Sequence, residues 1–187
     1  MAFLTDEQLS NIGFASLGSN VRISDKASIY GASLINIGSN VRIDDFCVLS
    51  AGSGGIEIGN YVHIAIFSSL IGEGKIVLSD FSGISSRVSI YSSNDDYTGE
   101  YLTNPTIPAK YTNVTHAPVI LGKHVIIGSG TVVLPGVTLH EGAAVGSLSL
   151  VMKDCEPFCI YMGTPAKKIK SRGRQLISKE LELLSSV

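Results

Sequence analysis

Branched aliphatic residues return along this chain every six positions, separated by small and polar ones. Written in sixes from Leu17, the sequence reads LGSNVR, ISDKAS, IYGASL, then, after two skipped residues, IGSNVR, IDDFCV, LSAGSG. It resumes at Ile58 with IGNYVH, IAIFSS, LIGEGK and at Leu78 with LSDFSG, ISSRVS, IYSSND. After an interruption it returns as LGKHVI, IGSGTV, VLPGVT, LHEGAA, VGSLSL, VMKDCE. Every leading residue is Leu, Ile or Val, and the fifth is mostly small, as at Ala27, Cys47, Ser68, Thr131 and Ala143. Alternating strands repeat every second residue and helices about every 3.6, so neither keeps this phase. A sustained fixed repeat marks a solenoid.

Three hexads predict one triangular coil. The leading aliphatic residue points inward from each flat face, the small fifth residue lies near a corner, and coils stack about 4.8 Å apart through main-chain hydrogen bonds. The expected fold is all-β, a parallel β-helix over residues 17–156. The glycines that follow the coil-opening residue (Gly18, Gly38, Gly59, Gly122) read as permitting a backbone shape other residues resist. Residues 1–16 form an N-terminal cap, with Thr5 and Gln8 spaced as a capping box ahead of a short helix. In the C-terminal tail, 157–187, the stretch from Ser171 puts Leu176, Ile177, Leu181 and Leu184 on one helical stripe. Between Ile90 and Leu121 the repeat breaks, and the polar, proline-containing segment 94–119 reads as an extruded loop. Loops of that length in a regular scaffold are usually functional.

From Leu78 to about Arg172 the chain resembles the galactoside, maltose and xenobiotic acetyltransferase group of hexapeptide-repeat proteins, above all its members that modify bacterial surface sugars. The residues that carry the resemblance are the loop after a mid-helix coil, the run PVILGKHVIIGSGTVVLPGVTLHEGAAVGSLSLVMKD, and the ending IYMGTPAKKIKSR. The resemblance implies left-handed coiling, an exception to the usual crossover rule. It also implies a homotrimer with sites between subunits, and acetyl-CoA-dependent O-acetylation of a sugar or surface-polysaccharide precursor. N-acetylation of an amino sugar, free or nucleotide-linked, is the alternative, and a non-catalytic scaffold a second.

The site departs from the group's pattern. Where the motif places a histidine, this chain has Asp95, with Asp96 beside it. A carboxylate of ordinary pKa, about 4, is a poor base toward a hydroxyl. Two adjacent carboxylates in a cleft would raise one pKa, and His63, expected at a corner one coil earlier, is placed within reach of either. An amine acceptor is the other way out, and it strengthens the N-acetylation reading. His116 reads as a mobile loop end, and His124 and His140 as outward-facing surface residues. None of these spacings provides a close ligand pair, so no metal is expected. For the donor, Gly128, Ser129, Gly146 and Ser147 offer an unobstructed surface in adjacent coils, although the repeat itself also asks for those glycines. Lys167 and Lys168 are assigned to the CoA phosphates by the resemblance, against a plain solvated helix start.

Composition narrows the classes further. Lys and Arg number 14 against 16 Asp and Glu, a formal net charge of −2, which argues against a nucleic-acid binder. No apolar run approaches the ~18 residues of a membrane span, and MAFLTDEQLS lacks the basic-then-apolar order of a secretory leader. Cys47, Cys155 and Cys159 are odd in number and read as packing residues in a reducing, cytoplasmic compartment.

Overall fold

A computed structural model of the chain describes residues 2–186. It is a left-handed parallel β-helix whose three faces are parallel sheets. On the first face the register runs Leu17, Ile37, Ile58, Leu78, Leu121, Leu139, each residue beside the next. The second carries Ile23, Ile43, Ile64, Ile84, Ile127 and Val145, and the third Ile29, Leu49, Leu70, Ile90, Val133 and Val151. These are the leading residues of the hexads. Most are fully buried, among them Ile23, Ile43, Leu49, Ile64, Leu70 and Ile90 at 0% exposure. Burying each such side chain contributes about 1.5–3 kcal/mol, and continuous ladders hold the coils in phase.

The glycines after the coil-opening residues serve a different purpose from the one expected. A Cβ on Gly18 would lie 2.5 Å from the carbonyl carbon of Gly38, and one on Gly38 would lie 2.7 Å from that of Gly59. Close stacking, not backbone shape, demands them. The left-handed conformation falls instead at the fourth hexad position, at Asn20, Asn40, Phe46, Tyr61, Phe67, Phe81, Arg87, His124 and Leu148. Such a φ costs a bulky residue roughly 1–2 kcal/mol. Stacking between coils offsets part of this: Phe46 lies on Phe67 at 5.1 Å, Tyr61 on Phe81 at 4.7 Å, and Phe81 on His124 at 5.3 Å.

At the N-terminus, helix Asp6–Ile12 starts with a complete Thr5/Gln8 capping box, and Leu9 joins the core at 3% exposure. At the other end the β-structure passes residue 156. Strand Cys159–Met162 pairs with Ala144–Val145, and Lys167–Ser171 folds back antiparallel on it. The basic stretch is therefore a strand, where a helix start was the competing expectation; the helix spans only Gln175–Leu184. No residue of that helix is buried. Its Glu180 meets Lys123 Nζ and His124 Nε2, the latter at 2.8 Å, and just ahead of the helix Arg172 Nη1 donates to the carbonyls of His124 and Gly142 at 2.9 and 3.0 Å.

Candidate functional site

The extruded loop leaves the prism at the corner between the third and first faces. Its stem is the antiparallel pair Ser93–Asn94 and Thr115–His116, and the chain rejoins the first face in strand Val119–Leu121, beside Ile76–Leu78. Val119 is fully buried and belongs to the prism.

Beneath the loop is a recess of about 800 Å³. Ser50–Gly52 and Ile71–Glu73 form its floor, and Asn104, Pro105, Ile107 and Thr112–Val114 its wall, with Asp95 and His116 at the stem. The charged or titratable lining groups are Glu73, Asp95 and His116, and no Lys or Arg lines it. Ser93 Oγ accepts the Glu73 backbone N–H at 2.8 Å and lies 2.8 Å from His116 Nδ1. The Ser53 backbone N–H donates to Glu73 Oε2 at 2.9 Å and, with further help from the Ser53 side chain, holds that carboxyl below the usual range. Glu73 thus stays an anion across the neutral range, and Asp95 stands exposed at the mouth.

The predicted residues separate. Asp96 does not gain the raised pKa expected of a paired carboxylate. Its Oδ1 accepts the Thr98 backbone N–H at 2.6 Å, which pushes its pKa down, so it closes a turn. His63 lies in strand His63–Ile64 of the second face, not at a corner, and its Nε2 pairs with Asp44 Oδ2 at 2.9 Å. Asp44 is 6% exposed and also receives Arg42 Nε at 2.6 Å. Within one chain His63 is not brought to Asp95 or Asp96: it lines another recess, with Ala65, Gly83, Ser85, Ser86 and Ile126, that shares no residue with the first. The hexad ending in His63 feeds the second face, and a further hexad must pass before the chain reaches the loop's corner.

His116 is tied to Ser93 where mobility was expected, and His124 is buried at 8% exposure beneath the C-terminal helix where an outward position was expected. His140 is exposed. Sequence reasoning did not single out Glu73, which lines the first recess, or Ser85 and Ser86, which line the second. Glu73 stands at the fourth position of its hexad, the corner on which the loop later folds, and that register was the available signal.

Of the residues expected to hold the donor, Gly128 and Gly146 are stacked outward positions of the second face, through the pairing of Ile127 with Val145, and Ser129 and Ser147 beside them are exposed. A Cβ on Gly128 would lie 2.5 Å from Ser147 N, so coil packing requires that glycine too. Lys167 is exposed. Lys168 Nζ donates to Glu156 Oε2 at 2.7 Å, a bond that raises its pKa and partly neutralises it as an anion ligand.

Comparison with known proteins adds chemistry to this geometry. No family model matches the chain. An Escherichia coli dTDP-4-amino-4,6-dideoxy-D-glucose acyltransferase is 58% identical over 180 residues, 96% of this chain and 94% of that protein. The fold superposes on AntD, an N-acyltransferase from Bacillus cereus. A variant of AntD in complex with dTDP-4-amino-4,6-dideoxyglucose and coenzyme A gives a TM-score of 0.95 at 47% identity, covering 100% of this chain and 99% of that one. AntD in complex with dTDP and 3-hydroxybutyryl-CoA gives 0.92 at 47%, covering 98% and 97%. A maltose O-acetyltransferase from Clostridium difficile shares the fold, with a TM-score of 0.61 at 21% identity over 91% of this chain and 79% of that one.

Proposed function

The chain belongs to the hexapeptide-repeat, left-handed β-helix family of acyltransferases, and from that premise we propose that it moves an acyl group from coenzyme A to the amino group of a nucleotide-linked amino sugar. O-acetylation, the leading expectation from sequence, gives way to its N-acyl alternative. The observation that carries this is the recess under the loop, lined by Glu73 and Asp95 and by no Lys or Arg. Two carboxylates attract an ammonium, and an amine is nucleophile enough to need only modest help. The neutral amine attacks the thioester carbonyl carbon, the C–N bond forms, and the C–S bond breaks. Coenzyme A leaves as a thiolate and takes up the proton that the nitrogen sheds.

Asp95, exposed and free of the turn that occupies Asp96, is the group we assign to hold and deprotonate the amine. The Bacillus cereus crystals include variants at a serine and at an aspartate ten positions later. Ser85 and Asp95 share that spacing here, as do Ser86 and Asp96. The donor arm is assigned to the second face along Gly128, Ser129, Gly146 and Ser147, with Lys167 and then Lys168 toward its phosphates. That track and the acceptor recess lie on different parts of one prism, so a second copy of the chain is needed to bring donor and acceptor together. This supports a homotrimer with sites at its seams, and gives His63 a route to the acceptor from a neighbouring copy. No helix among the described residues is long and apolar enough to cross a membrane. A coenzyme A donor and a nucleotide-sugar acceptor support a cytoplasmic location.

The test is coenzyme A release with dTDP-4-amino-4,6-dideoxyglucose and with its 4-hydroxyl counterpart. Turnover is expected with the amine alone, and Asp95→Asn is expected to lower kcat by about 10²–10⁴-fold. Equal turnover with the hydroxyl sugar, or a fully active Asp95→Asn enzyme, sinks the reading. Sedimentation of the purified protein as a monomer at assay concentration removes the homotrimer.

A further inference from the structure

Glycine is needed in this prism for two reasons, and one glycine answers to neither. Some glycines hold a left-handed φ, as Gly130, Gly136 and Gly142 do. In others a Cβ would strike a neighbour, as at Gly18, Gly38 and Gly128. Among the described glycines Gly83 alone has no positive φ and no tight contact: a Cβ there would meet nothing nearer than the His63 carbonyl oxygen, at 3.9 Å. It lies in strand Gly83–Ile84 of the second face. The same register carries Arg42 and His63 in the coils before it, and Ile126 and Ala144 in those after. A glycine within a strand weakens it, and often marks a place where a ligand or another backbone comes close.

The missing side chain leaves a notch between His63 and Ile126, part of a recess of about 310 Å³ that also takes in Ala65, Ser85 and Ser86. No Asp, Glu, Lys or Arg lines it, and its one titratable group, His63, is already paired with Asp44 Oδ2, so the lining offers no unpaired charge to a phosphate or an ammonium. Ala65 and the half-exposed Ile126 provide apolar contact, and the two serines provide hydroxyls. A short neutral chain, with or without a hydroxyl of its own, fits that lining. The notch adjoins the coil that carries Gly128, on the face assigned to the donor. We propose that Gly83 sets acyl length: its bare Cα makes room at the thioester end for an acyl group longer than acetyl. This rests on the donor assignment made above.

The experiment compares kcat/KM for acetyl-, butyryl- and 3-hydroxybutyryl-CoA in the full-length protein and in Gly83→Ala and Gly83→Val, with thermal melting of each. Neither variant is expected to melt lower. The ratio of four-carbon to acetyl donors is expected to fall at least about tenfold in Gly83→Val, the scale of pocket discrimination by a methyl or two, and by less in Gly83→Ala. An unchanged ratio overturns the inference. So does an equal loss with every donor at an intact melting temperature, which assigns the notch to the acceptor or to a neighbouring copy. A wild-type protein that turns over no donor overturns the activity reading and this inference with it, whereas the two ratio outcomes overturn this inference alone.

Discussion

Replacing Glu180 by Gln should release the C-terminal helix while leaving the prism folded. No residue of the helix is fully buried, and an isolated segment of Gln175–Leu184's length is barely helical in water. Its apolar residues Leu176 and Ile177 are only partly buried, so its docking leans on a few polar contacts. Glu180, 9% exposed, is shared between Lys123 and His124. Lys123 is 38% exposed, so its part resembles a surface ion pair and is worth at most about 1 kcal/mol. His124 is 8% exposed, and a hydrogen bond there to a charged group is worth about 1.5–3 kcal/mol. Glutamine keeps the shape and some of the bonding, so a loss of about 2 kcal/mol is reasonable, or about 30-fold in the docking equilibrium. Hydrogen exchange resolved to residues 175–184 reads it as a 30-fold drop in protection there, with the face strands unaffected. The same device is sensitive to pH. Lys123 chiefly, then His124, hold the Glu180 carboxyl below its ordinary 4.5. That contribution is complete above about pH 5 and fades as pH falls through the lowered value. Unaltered protection in Glu180→Gln, or a loss spread over the whole prism, would refute the reasoning.

Two further outcomes are expected. Burial pushes the Cys155 thiol up to about 12 and raises that of Cys47, and Cys159 is 6% exposed; an aromatic disulfide reagent should therefore label no thiol of the native protein at pH 8 and all three after denaturation, so that rapid labelling of any one in the native state contradicts the packing. Gly38→Ala should cost about 1–3 kcal/mol by overpacking, read as a lower denaturation midpoint, because its Cβ would press on the backbone of Gly59; a neutral Gly38→Ala would mean that the coils are looser than the stacking requires.

The ladders were legible because a six-residue phase is a local property of the chain. Leu17, Ile37, Ile58 and Leu78 announce their own positions, and stacking needs nothing more. The pairings around the candidate residues are of another kind. Asp44 meets His63, and Ser93 meets His116, only after a register between whole coils is set. Asp95 and Asp96 are neighbours in sequence with opposite fates, decided by which one the Thr98 N–H reaches. The strand at Lys167 was out of reach for a similar reason: its form is dictated by the unpaired edge of Cys159–Met162, which takes a strand and not the helix start that was the competing expectation. His124 became a core contact because a helix far along the chain returned to cover it.

A straight prism imposes a division of labour. Residues one coil apart on a face lie about 4.8 Å from each other, so a face can carry an extended ligand along its length but cannot wrap around it. Gly128 and Gly146 are arranged in that way on the second face, with Gly83 one coil earlier and two residues along the strand direction. An enclosed recess requires the chain to leave the stack, and it does so once, at the corner where Ser93–Asn94 and Thr115–His116 raise the loop over Glu73 and Asp95. The two features are perpendicular in purpose and apart in space. Under the function proposed above, a second prism laid against the first, its loop corner toward this chain's glycine-bearing face, is the arrangement that would join donor and acceptor.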